Sequence, residues 1–81
     1  IPSPEFDYEI ERVSGKYVIT VRSKSFLCQL HLISTKVRGV FSDNYFDMLP
    51  GEVQMIDFEP SENKELKKSE LRAVTLYEMM N

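Results

Sequence analysis

A single cysteine, one histidine, three glycines and no tryptophan are spread over 81 residues. Cys28 alone cannot form an internal disulfide, so the crosslinks with which small secreted domains offset a thin core are missing. Either the compartment is reducing or neighbouring domains supply the missing stability, and the second reading fits so short a chain better. No apolar run approaches the roughly 20 residues that span a bilayer, so no membrane role is expected. A net charge of −3 offers nucleic acid no electrostatic footprint. Cys28 and His31, three positions apart, are too few for zinc ligation, and no metal or other cofactor is expected. His31 has no G-x-S-x-G nucleophile elbow beside it. Its outward parity on a strand reads as a surface histidine.

What is present points to one small β domain. A chain this short buries only roughly 60% of its unfolded surface, which leaves little room for a deep cleft. Residues 1–6, with Pro2 and Pro4, read as a linker from something upstream or as vector-derived residue; residues 7–81 read as the single domain. Period-2 alternation, the mark of half-buried strands, recurs along it. Asp7 to Val13 places Tyr8 and Ile10 opposite Asp7, Glu9 and Glu11. Ser14-Gly15 is a turn, and Gly15 accepts a positive φ at little cost. Lys16 to Ser23 puts Tyr17, Ile19 and Val21 on one face, completing an antiparallel hairpin. In the third strand Phe26, Cys28, Leu30 and Leu32 line the core face, with Gln29 and His31 opposite. From Ser34 to Val40 the signal weakens, and Gly39 interrupts a short edge strand. Further strands are expected at Tyr45–Leu49, at Val53–Phe58 (ended by Pro60) and at Leu71–Met79. Pro50-Gly51 fits the centre of a type II turn. Ser61 to Ser69, with Lys64, Lys67 and Lys68 among glutamates, reads as a solvated loop or one helical turn.

Short strands with turn signals about every 8–12 residues predict an all-β fold, an immunoglobulin-like antiparallel sandwich of about six to eight strands. The predicted core is Tyr17, Ile19, Val21, Phe26, Cys28, Leu30, Leu32, Phe58, Val74 and Leu76. Each such side chain stabilises by about 1.5–3 kcal/mol when buried, against ordering costs of similar total size. Carboxylates are plentiful, but Asp7, Glu9 and Glu11, like Glu62 and Glu65, read as solvated faces and not as a glycosidase pair lining a cleft. Asp43, Asn44 and Asp47 lack the ordered loop of a calcium site. Local turn bonding, with Asp43 or Asn44 accepting from N–H groups two residues on, is the expectation. Tyr45 and Phe46 invite a sugar-stacking reading. Strand parity favours one of them buried and the other packed on a neighbouring domain.

The segment Phe41, Ser42, Asp43, Asn44, Tyr45, Phe46, Asp47, Met48, Leu49, Pro50, Gly51, Glu52 resembles the F-S-D-N-x-F-x-L-x-P-G-E signature of the C-terminal Ig-like domain of β-mannosidases in glycoside hydrolase family 2. Met48 stands where leucine is common, and the flanking strands follow the family's layout. The resemblance implies a parent enzyme that hydrolyses terminal, non-reducing β-linked mannose with retention. Its glutamate pair lies in a separate (β/α) barrel, and neither glutamate maps onto this chain. No catalytic residue is therefore expected here, and the parent would be periplasmic, secreted or lysosomal. The resemblance also implies that the two turns are structural devices, that Tyr45 and Phe46 are core or interface aromatics, and that the partners are other domains of the same polypeptide. The alternative is a carbohydrate-binding module in which Tyr45 and Phe46 form a platform.

Overall fold

The structure, a computed structural model, describes residues 3–76. Seven strands follow one another: β1 (Phe6–Val13), β2 (Lys16–Ser23), β3 (Leu27–Ser34), β4 (Gly39–Phe41), β5 (Phe46–Met48), β6 (Val53–Pro60) and β7 (Leu71–Val74), with a 3₁₀ turn at Lys68–Glu70 before the last. They form two antiparallel sheets, one of four strands in the order β1-β2-β6-β4 and one of three in the order β5-β3-β7. The fold is an Ig-like β-sandwich, as the alternation predicts.

The four-stranded sheet follows the sequence pattern closely. Ser14 (φ 52°) and Gly15 (φ 81°) both take left-handed conformations, the two-residue turn whose twist suits a hairpin. β1 and β2 then pair over their full length, from Phe6 opposite Ser23 to Val13 opposite Lys16. Alternation buries Tyr17, Ile19 and Val21, and Ile56 and Phe58 join them from β6. Phe58 lies against the rings of Phe41 at 4.7 Å and Tyr17 at 6.5 Å. Its ring also explains Gly39, which opens β4 instead of interrupting it. A Cβ there would meet the Phe58 Cζ and the Glu59 carbonyl at 2.5 Å. Pro60 does not stop β6 short; it is the last paired residue, opposite Gly39, where its missing N–H is harmless.

The three-stranded sheet corrects the expected core. Leu27 is buried, Phe26 is 54% exposed and Cys28 is only half-buried. The register jumps between Leu27 opposite Met48 and Leu30 opposite Phe46, and Gln29 has φ 55°. One extra residue in β3 forms a bulge, so inward parity changes midway. At β7 the expected face is inverted. Leu32 points inward and pairs with Ala73, which puts Leu71 on the same side, while Val74 pairs with His31 outside. Leu71 and Thr75 are therefore buried, and Val74 and Leu76 are half-buried. The part of the expected strand from Tyr77 to Met79 lies outside the described residues.

The charged stretch before β7 also holds more than a solvated loop. Leu66 is buried, and its N–H donates to the Tyr17 hydroxyl at 3.0 Å. Val37 closes the core from the β3–β4 connection. Tyr8 spans the two sheets, its hydroxyl donating to the Leu71 carbonyl at 2.8 Å.

Candidate functional site

The segment from Phe41 to Glu52 runs from the four-stranded sheet across to the three-stranded one. Phe41 closes β4 with its ring on Phe58. Ser42 extends that pairing by one step. Its N–H donates to the Asp57 carbonyl at 2.8 Å, and its Oγ accepts the Asp57 N–H at 2.9 Å. Asp43 Oδ1 accepts the N–H of the next residue, Asn44, at 2.8 Å, where a bond two residues on was expected.

Asn44 reaches across to β3. Its Oδ1 accepts the Leu32 N–H at 2.7 Å and its Nδ2 donates to the Leu32 carbonyl at 3.2 Å. Continuing the register from Leu30 opposite Phe46 brings Asn44 opposite Leu32. The ladder thus goes on for one more rung with a side-chain amide in place of a peptide. Without it, two backbone groups on a buried residue would lack partners, at about 1–3 kcal/mol each. Asp47 serves the same strand. Its Oδ1 accepts the N–H of the bulged Gln29 at 2.9 Å.

Tyr45 sits between these two clamps with φ 57°, a conformation costly for a bulky residue. The residue is 61% exposed, and its ring stacks on His31, with centroids 4.7 Å apart and planes 20° from parallel. His31 is therefore not a free surface residue. It is half-buried, and its Nδ1 is enclosed without a hydrogen-bond partner. Phe46 turns inward against the core cluster, so the two aromatics point apart. Met48 is fully buried and Leu49 is 59% exposed.

The Pro50-Gly51 turn closes as expected. Gly51 has φ 88° and the Glu52 N–H donates to the Leu49 carbonyl at 3.1 Å. Glu52 Oε1 returns the bond by accepting the Leu49 N–H at 2.7 Å. Gly51 N–H also donates to the Ser23 carbonyl at 2.8 Å, which ties the turn to the end of β2. Ser42, Asp43, Asn44, Asp47 and Glu52 thus all direct side-chain oxygens to backbone N–H groups.

Beside Tyr45 lies an open depression of about 530 Å³, lined by His31, Val37, Arg38, Phe41 and Asn44 among others. A second one, of about 580 Å³, lies at the far end, between Pro4, Phe6, Arg22, Gly51 and Val53. Near the first, Glu62 Oε1 accepts the Arg38 N–H at 3.0 Å. That bond holds its carboxyl below the usual carboxylate range, with the charges of Lys64 and Arg38 adding to it and desolvation opposing. Among the described residues no group of three or more His, Cys, Asp or Glu stands close enough to hold a metal ion.

Sequence reasoning missed the clamp on β3: Asn44 and Asp47 flank an aromatic pair, but their partners Leu32 and Gln29 lie 12 and 18 positions away in the chain. In comparisons with known proteins, the family model Ig_mannosidase, described as an Ig-fold domain, matches residues 1–79. No curated protein matches the chain.

Proposed function

We propose that this chain, which belongs to the Ig_mannosidase family of Ig-fold domains, is the non-catalytic C-terminal accessory domain of a β-mannosidase-type glycoside hydrolase acting on terminal β-linked mannose. One observation carries the reading. The polar side chains of the Phe41–Glu52 segment are engaged by backbone N–H groups of the fold itself. A catalytic carboxylate must instead face the reacting bond, within reach of the proton it moves. The work of hydrolysis then belongs to a separate barrel, and the sandwich contributes a rigid body that packs on the other domains of the same polypeptide.

The test is an assay of the purified 81 residues with a chromogenic β-mannoside. A folded chain should release no chromophore, while the natural polypeptide that carries it should be active. Turnover by the 81 residues alone would sink the proposal.

The exposed ring of Tyr45 beside an open depression favours a second reading, a weak carbohydrate site. Its platform would be Tyr45 alone, backed by His31, because Phe46 packs inward. NMR titration with manno-oligosaccharides should then shift the amides of Tyr45 and His31 at millimolar ligand. Unmoved resonances there would dismiss it.

A further inference from the structure

We infer that the outer face of the four-stranded sheet is the surface by which this domain docks on a neighbouring domain of its own polypeptide, and that the partner surface sets apolar side chains against Val53 and Met55 and lysine and arginine against the carboxylates beside them. The inference rests on the accessory-domain reading above and names the contact that reading leaves open.

Register decides which side chains share this face. Arg22 lies opposite Asp7 on one side and Val53 on the other; Thr20 likewise lies between Glu9 and Met55, and Val18 between Glu11 and Asp57. At one end come Val13 opposite Lys16, and Val40 opposite Glu59. Met55 is 68% exposed and Val40 70%, with Val53 and Val13 near half. Four of the eight large apolar side chains left exposed among the described residues thus stand on one sheet face. An antiparallel sheet that faces water on one side normally carries polar residues there.

Charge selects the occupant. Asp7, Glu9 and Glu11 form a column along β1, and Asp57 and Glu59 stand on β6, against Lys16 and Arg22 alone. The face has three negative charges in excess, as many as the whole chain's −3. Lys16 and Glu59 do meet, at 3.7 Å, but both are largely exposed, and such a pair contributes little. A second copy laid on this face would set carboxylates against carboxylates, which is unfavourable in a two-fold interface. A partner surface with lysine and arginine beside an apolar patch meets the β1 carboxylates, Asp57 and Glu59, and the adjacent Val53 and Met55 together. Three eight-residue strands at about 3.3 Å per residue, with the three-residue β4 beside one end and strands about 4.8 Å apart, span about 26 Å by about 10–14 Å. That is the size of one side of an interdomain contact, which buries roughly 600–1,500 Å² in total.

Methionine oxidation reads the contact directly. Dilute peroxide is applied to the 81-residue chain and to the natural polypeptide that contains it, and Met55 sulfoxide is followed by mass spectrometry. Met55 should oxidise at least about tenfold more slowly in the longer polypeptide, while buried Met48 stays slow in both. Glu9→Lys combined with Glu11→Lys should restore most of the Met55 rate there, without lowering the melting temperature of the isolated chain. Equal Met55 rates in a polypeptide that cleaves the chromogenic mannoside would overturn the docking face and leave the accessory-domain reading standing. Protection of Met55 in an inactive polypeptide would support the face and sink the mannosidase reading. Protection that grows with concentration in the isolated chain would mean a second copy is the occupant, and would overturn the proposal.

Discussion

The β1–β2 hairpin and the Phe41–Glu52 segment solve the same problem by different means. The hairpin satisfies its backbone with its own backbone, over eight consecutive residue pairs closed by a two-residue turn. The segment holds the last residue of the three-residue β4 and the whole of the three-residue β5, and relies on Ser42, Asn44, Asp47 and Glu52 side chains to complete what the ladders leave open. The first arrangement tolerates many substitutions, provided the alternation survives. The second depends on particular atoms at particular places.

Five measurements would break or sharpen that contrast. The largest effect belongs to the shared core. Phe58→Ala removes a fully buried ring that meets Tyr17 and Phe41 and should cost about 3–5 kcal/mol in urea unfolding. Next is the clamp. Asn44→Ala leaves the Leu32 N–H and carbonyl unpaired and should cost about 2–4 kcal/mol, with faster hydrogen exchange at Leu32. A loss under about 0.5 kcal/mol would show that water replaces the amide, and the contrast would fall. Tyr17→Phe keeps the ring and deletes the acceptor of the Leu66 N–H, at about 1–2 kcal/mol. Phe26→Ser should change stability by less than about 0.5 kcal/mol, as for other exposed sites. A large loss would contradict the bulge that turns Phe26 outward.

Smallest is the effect of Glu62. Its folded-state pKa is lowered, so its stabilisation is complete above the ordinary glutamate value of about 4.3. It is lost as pH falls through the lowered folded value. The small gap in melting temperature between the natural chain and Glu62→Gln, present at neutral pH, should narrow progressively as the pH is taken below the ordinary glutamate value of about 4.3.

The sequence made the sandwich legible because the regular strands alternate strictly. Tyr17, Ile19 and Val21 could be placed inward by parity alone, and Pro50-Gly51 announced its own turn type. Parity failed at Phe26 and Cys28, since an unbroken count of two cannot register the inserted residue at Gln29. It failed again at Val74 and Leu76, whose facing is set by the partner strand through Leu32 and Ala73. Leu66 went unseen because a lone apolar residue among lysines and glutamates carries no periodicity. Local turn bonding was expected of Asn44, yet its partners lie twelve positions away in the chain. No local pattern encodes such a reach.

The bulge at Gln29 behaves as a reading-frame shift in the pleat. Upstream of it odd positions of β3 are concealed, and downstream even ones. A one-residue deletion at that point would restore plain alternation, leaving Leu27 and Leu30 both inward and opposite Met48 and Phe46. Indels elsewhere in β3 would shift the parity of every later residue and could not be absorbed so cheaply, which makes residues 28–29 the natural seam of this strand.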